Sequence, residues 1–191
     1  LVMDNSNEKK WFEDYFQLYS KKIFQSSIIN KLIQVKEIWL AANKNSKKII
    51  FAGNGGSAAM ASHCSVDLTK NAGIRAINFN EADLITCFSN DFGYDMWVEK
   101  AIDFYGNPGD VLVLVSSSGN SMNMVNAAKR ASDMKITTVT FTGFDKSNKL
   151  KQLGKINLWV DSKAYNIVEM THHIWILAVV DMIIGSSEYS A

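Results

Sequence analysis

The spacing of hydrophobic and polar positions divides the chain into two regimes. Between residues 11 and 45, Trp11, Phe12, Tyr15, Phe16 and Tyr19, then Ile28, Leu32, Val35, Ile38 and Trp39, recur at intervals of three and four. That period is helical, and the apolar faces are wide enough to need covering by the core or by another subunit. Beyond residue 46 the pattern changes to short apolar runs: "KKIIFAG" (47–53), "RAINF" (75–79), "DVLVLVSS" (110–117), "ITTVTFTG" (136–143) and "INLWVD" (156–161). These predict strands. Helical stretches lie between them, at about 57–70, 82–105 with a break at "NDFGYD", 122–134 and 166–185. Strands alternating with helices imply a parallel sheet covered on both faces, which explains why the runs are almost wholly apolar.

The expected organisation is therefore a single α/β domain over 1–191. A helical segment at 1–46 is expected in oligomer contacts, and the α/β core occupies 47–191. Leu1 in place of an initiator Met suggests a trimmed start. Net charge is +1 and the basic residues are scattered, so nothing points to nucleic acid or an anionic membrane as partner. The longest apolar run, "IWILAVVDMIIG" at 174–185, contains Asp181 and reads as a buried helix rather than a span. No signal peptide is visible, and the two cysteines, Cys64 and Cys87, form no CxxC pattern. A reduced, cytoplasmic setting with both thiols as small packing residues is the expectation.

Two strand-to-helix loops carry the candidate chemistry. In open parallel sheets ligands bind beyond the carboxyl ends of the strands, where such loops lie. "VSSSGNSMN" (115–123) gathers the hydroxyls of Ser116, Ser117, Ser118 and Ser121 at the start of a helix. The helix terminus favours negative charge and each hydroxyl can donate to a phosphate oxygen. A polar turn with a capped helix would have the same composition. "FAGNGGSAA" (51–59) is a glycine-rich turn through which a ligand could approach the backbone closely. Neither loop has GxGxxG or GxxxxGK[ST], so no nucleotide cofactor is expected.

Together these segments resemble the sugar isomerase (SIS) fold, and within it the phosphoheptose isomerase family. "GNGGSAA" (53–59) followed by His63, "SSSGNS" (116–121) and "SNDFGYD" (89–95) match that family's segments, and the likeness runs from about residue 8 to 185. The resemblance implies a flavodoxin-like three-layer sandwich with a five-stranded parallel sheet behind N-terminal helices. It also implies a homotetramer with sites between subunits, and an aldose–ketose isomerase working through an enediol. The family's founding reaction converts sedoheptulose 7-phosphate to a manno-heptose 7-phosphate for surface polysaccharide such as lipopolysaccharide. By position, Ser116, Ser117, Ser118 and Ser121 would hold the phosphate. Asn54, Gly55 and Ser57 would contact the sugar phosphate, with Asp91 at the site's edge.

The catalytic positions depart from that pattern. The family's H-x-x-x-E reads "HCSVD" here, so Asp67 replaces a glutamate four residues after His63. On the last helix Val168 and Ile176 stand where the family has a Gln and a His. His172 lies midway in the stripe 168–172–176 and is expected to take over as acid/base or ligand. His173 points about 100° around, with Glu169 between. The expected catalytic set is thus Asp67, His172 and His63, and the same three could hold a zinc ion with one position open. The leading function is isomerisation of a sugar phosphate. The alternative is a catalytically silent relative that binds a phosphosugar or a protein partner.

Overall fold

The computed structural model describes residues 5–189. The helical reading of 1–4 lies outside them. All five strands form: β1 (Ile49–Gly53), β2 (Ala76–Asn78), β3 (Val111–Ser116), β4 (Thr137–Thr142) and β5 (Ile156–Trp159). They make one parallel sheet in the order β2-β1-β3-β4-β5. The chain leaves β1 for β2 on one side and returns to β3 on the other. The crevice beyond β1 and β3 is therefore the topological switch point, where such sheets bind ligands.

Alternation along the strands loads both faces. Ile49, Phe51, Val111, Val113, Val115, Val139 and Phe141 belong to one core cluster; Ile50, Ala52, Leu112 and Leu114 belong to the other. The first is covered by α2 (Ser26–Lys44), α3 (Gly56–Lys70) and α7 (Tyr165–Ile184), the second mainly by α5 (Trp97–Tyr105) and α6 (Met122–Asp133). Two-sided burial is the physical reason that the strands read as continuous apolar runs.

Four features bear on the sequence expectation: a break in the first helical stretch and the exposure of Cys87 depart from it, whereas the break at "NDFGYD" and the burial of the last helix agree with it. The N-terminal helical stretch is two helices, α1 (Asn5–Ile23) and α2, broken at Phe24–Gln25. The interruption at 82–105 falls after α4 (Ala82–Phe92), at Gly93 with φ 88°. Cys87 is exposed, because α4 has no fully buried residue, whereas Cys64 is buried and its thiol is pushed up to about 12 by that burial. Finally, α7 is long and apolar enough by length and composition to cross a membrane. Here it is a core helix, burying Ile167, Val168, Thr171, His172, Trp175, Ile176, Val179 and Val180.

Helix α1 docks on α7 through Tyr19, whose hydroxyl donates to the Asn166 carbonyl at 3.2 Å, and through Trp175, whose indole donates to the Ile23 carbonyl at 3.2 Å. Trp11, Phe12 and Phe16 on α1 remain exposed, so the chain itself leaves most of that aromatic face uncovered.

Candidate functional site

The two loops flank the switch point, where Gly53 at the end of β1 lies in register with Val115 of β3. Side chains from neighbouring loops fix each one. Asn80 clamps Gly53: its Oδ1 accepts from the Gly53 amide at 3.2 Å and its Nδ2 donates to the Gly53 carbonyl at 2.7 Å. In the second loop, Gly119 has φ 63° and no room for a side chain, since a Cβ would fall 2.0 Å from Asn148 Oδ1. The Leu150 amide donates to the Gly119 carbonyl at 2.9 Å, so the segment after β4 buttresses the serine loop.

The four serine hydroxyls are not equivalent. Ser116 Oγ accepts from the Gly119 amide and Ser118 Oγ from the Asn120 amide, both at 3.2 Å. Each is thereby oriented while keeping its own proton to donate. Ser117 is buried, at 3% exposure, and its Oγ has no partner. Ser121 is the N-cap residue of α6 and makes no side-chain capping bond. A buried hydroxyl without a partner costs about 1–3 kcal/mol, a cost that an anion in the loop would relieve.

Asn54 bridges the loops. It exchanges two amide hydrogen bonds with Asn123, of 3.1 and 2.9 Å, and its Oδ1 also accepts from the Tyr94 hydroxyl at 3.1 Å. From the segment 89–95 it is therefore Tyr94 that reaches the site. Asp91 instead faces its own helix, accepting from Asn90 Nδ2 at 2.9 Å and lying 3.9 Å from Cys87 Sγ. Gly55, with φ 55°, is exposed at the turn, and Ser57 is buried in the first turn of α3.

Helices α3 and α7 form a seam along which ionisable groups line up. Gly56, His63 and Asp67 are seven and four residues apart and share one face of α3. Glu169 and His173, four apart on α7, face them. The Glu169 carboxylate meets the backbone amide and hydroxyl of Ser57 and fills the space beside Gly56, where a Cβ would be 2.4 Å from its Oε2. It thus caps α3 from another helix, which Gly55, lacking a side chain, cannot do. Burial raises the Glu169 pKa, and the Ser57 hydrogen bonds oppose the rise. One turn further on, His173 Nε2 lies 2.9 Å from His63 Nδ1, and His63 Nε2 lies 3.5 Å from Asp67 Oδ2.

His172 is not in this group. It is fully buried against Phe141 and Trp175, and its Nε2 donates to the Thr142 carbonyl at 3.0 Å, leaving Nδ1 without a partner. Burial depresses its pKa to about 4. The stripe 168–172–176 exists as expected, but it faces the core, where Val168 and Ile176 are also fully buried. The expected catalytic and metal set of His63, Asp67 and His172 therefore does not converge: His173 occupies the position next to His63. Among the described residues no group of three His, Cys, Asp or Glu could hold a metal ion. With His172 turned into the core between Val168 and Ile176, the residues of this chain do not fit the expected zinc site.

Sequence reasoning missed Asn80, Asn123, Tyr94 and the roles of Glu169 and His173. The one available signal was Gly55, an N-cap without a side chain, which implies a cap supplied from elsewhere.

Comparison with known proteins gives a consistent relationship. The SIS domain profile matches residues 12–143. The phosphoheptose isomerase of Buchnera aphidicola subsp. Acyrthosiphon pisum is 36% identical over 158 residues, covering 80% of this chain and 81% of that protein. The phosphoheptose isomerase of Sulfurimonas denitrificans is 31% identical over 170 residues, covering 86% of this chain and 85% of that protein. Among solved structures, phosphoheptose isomerase GmhA from Neisseria gonorrhoeae superposes with a TM-score of 0.84 at 28% identity, covering 93% of this chain and 97% of that one. A phosphoheptose isomerase from Francisella tularensis gives 0.85 at 22% identity, covering 95% and 98%, which speaks for the shared fold alone.

Proposed function

The chain belongs to the SIS domain family, among its phosphoheptose isomerases, and on that premise we propose that it isomerises a sugar phosphate between aldose and ketose forms. The substrate we favour is sedoheptulose 7-phosphate, converted to a manno-heptose 7-phosphate for surface polysaccharide. The observation that carries the reading is the serine loop at the switch point, with the Ser117 hydroxyl buried and unpartnered at the start of α6. Ser116, Ser117, Ser118 and Ser121 would hold the phosphate, while Asn54, fixed by Asn123 and Tyr94, would present an amide proton to a sugar oxygen.

The chemistry falls to Asp67 and His63. The Asp67 carboxylate removes the proton from the carbon beside the carbonyl, and the electron pair moves to make the enediol. The carbonyl oxygen takes a proton from His63 Nε2, which then recovers one from the neighbouring hydroxyl. Asp67 returns its proton to the former carbonyl carbon, so no net proton is consumed. A homotetramer is part of this proposal. Copies of the chain would cover Trp11, Phe12 and Phe16, and the exposed His63–His173 pair would lie where a neighbouring subunit can close the site.

The test is incubation of the purified protein, with and without added zinc, with sedoheptulose 7-phosphate and a panel of other ketose and aldose phosphates. Interconversion is expected. No conversion of any member, together with tight phosphosugar binding, would replace the enzyme reading with that of a silent binder.

A further inference from the structure

The seam between α3 and α7 offers a partner for His63 that neither the family pattern nor its usual positions supply. Among the functional positions of the last helix, 168 and 176 are apolar and fully buried, so they cannot touch the reacting groups. His173, half-buried at the edge of the seam, is the imidazole that meets the first of the two helices. It sits four residues after Glu169, whose carboxylate caps α3 at Ser57. That cap fixes the relative rotation of the two helices, and so the approach of His173 to His63. His63 is about 9 Å further along α3 than Ser57, at 1.5 Å per residue. The separation leaves room for a multi-carbon sugar between the phosphate loop and the imidazole.

We propose that His173 is a positioning residue of the isomerase site: its Nε2, hydrogen-bonded to His63 Nδ1, sets the ring plane and tautomer of His63 so that Nε2–H faces Asp67 and the substrate. The proposal rests on the isomerase reading for its catalytic meaning, but its geometry stands apart from it.

The hydrogen-bond logic leaves one useful arrangement. A contact of 2.9 Å between two ring nitrogens needs one proton between them. Asp67 Oδ2 lies 3.5 Å from His63 Nε2, a contact that favours a proton on that nitrogen. When His63 is neutral, its proton is therefore on Nε2 and Nδ1 accepts from His173 Nε2–H. When His63 carries a second proton, Nδ1–H donates to His173, whose Nε2 then accepts. In both states Nε2–H points toward Asp67. Without His173, no other hydrogen bond among the described residues holds the proton off Nδ1, and the ring is free to turn about its χ angles, since the His63 side chain is 50% exposed. Fixing the tautomer of a catalytic imidazole through its second nitrogen is a general means of keeping the acid in register with its target.

Two substitutions and two measurements test this. His173→Leu removes the hydrogen bond, whereas His173→Gln places an amide where Nε2 lies. His173→Leu is expected to lower kcat at least tenfold with KM changed less than twofold, and His173→Gln to recover most of that loss. In nitrogen-15 spectra of the imidazoles, His63 is expected as the Nε2–H tautomer in the unsubstituted protein and in His173→Gln, and as a mixture in His173→Leu. Wild-type kcat in His173→Leu would overturn the proposal, as would equal loss in both variants with a shared rise in KM. An unchanged His63 tautomer in folded His173→Leu would overturn it too. If the unsubstituted protein converts no sugar phosphate, the isomerase reading fails while the spectra still decide whether His173 sets His63.

Discussion

The serine loop after β3 and the seam between α3 and α7 are the two halves of the candidate site, and their geometry comes from different sources. The loop takes its turn from its own residues, with the segment after β4 buttressing it. Ser116 and Ser118 accept from amides three and two residues on, Gly119 takes the positive φ, and Ser121 stands at the N-cap position of the next helix. The seam is shaped largely from a distance, because the close pairs that cross it join residues about 110 apart, as with Ser57 and Glu169 or His63 and His173. A local device survives as long as its short sequence does. A seam changes its chemistry whenever either helix changes a residue or a rotation. This chain retains the family's loop and departs from its seam.

The sharpest way to test that division is to ask which half carries chemistry and which carries binding. Asp67→Asn should lower kcat by about 10²–10⁴ with little change in KM, as measured by steady-state kinetics on the preferred sugar phosphate. A main effect on KM would move Asp67 out of the chemistry.

Next comes the core behind the seam. The unfolded chain protonates His172 near 6.5, whereas the folded chain resists until about 4. The contribution of this residue is therefore complete above the unfolded value and is lost as pH falls toward the folded one, by up to roughly 3 kcal/mol. Urea midpoints at pH 7 and pH 5 should separate more for the unsubstituted protein than for His172→Phe. Equal separation would mean that the imidazole is not held neutral in the core.

Ser117→Val should then raise KM about tenfold or more with kcat nearly unchanged, since a hydroxyl bonded to a charged oxygen contributes about 1.5–3 kcal/mol. Because that hydroxyl is unpartnered without ligand, the variant should lose no stability to urea. The smallest effect belongs to Glu169→Ala, which removes the cap of α3 and should cost about 1 kcal/mol of stability. It would also loosen the approach of His173 to His63, visible as faster exchange of the α3 amides.

The layers, the strands and the serine loop were legible because each depends on a pattern within a few residues: a period of two or of three to four, a glycine, a cluster of hydroxyls. The helix break at Phe24–Gln25 was not, because "IFQSSII" has neither Pro nor Gly to mark it. Asp91 and Tyr94 lie in one recognisable segment, yet only the path of the chain around Gly93 decides which of them reaches Asn54.

The last helix marks the boundary most clearly. By itself the sequence determined that residues 168, 172 and 176 form one stripe and that 173 points elsewhere, since a helix fixes relative angles. It could not determine which direction faces the core. Tyr165–Ile184 is apolar on nearly every side, so no polar face reveals the outside. Packing against Phe141 and Thr142 of the sheet decided it, turning His172 inward to a carbonyl and leaving His173 beside His63.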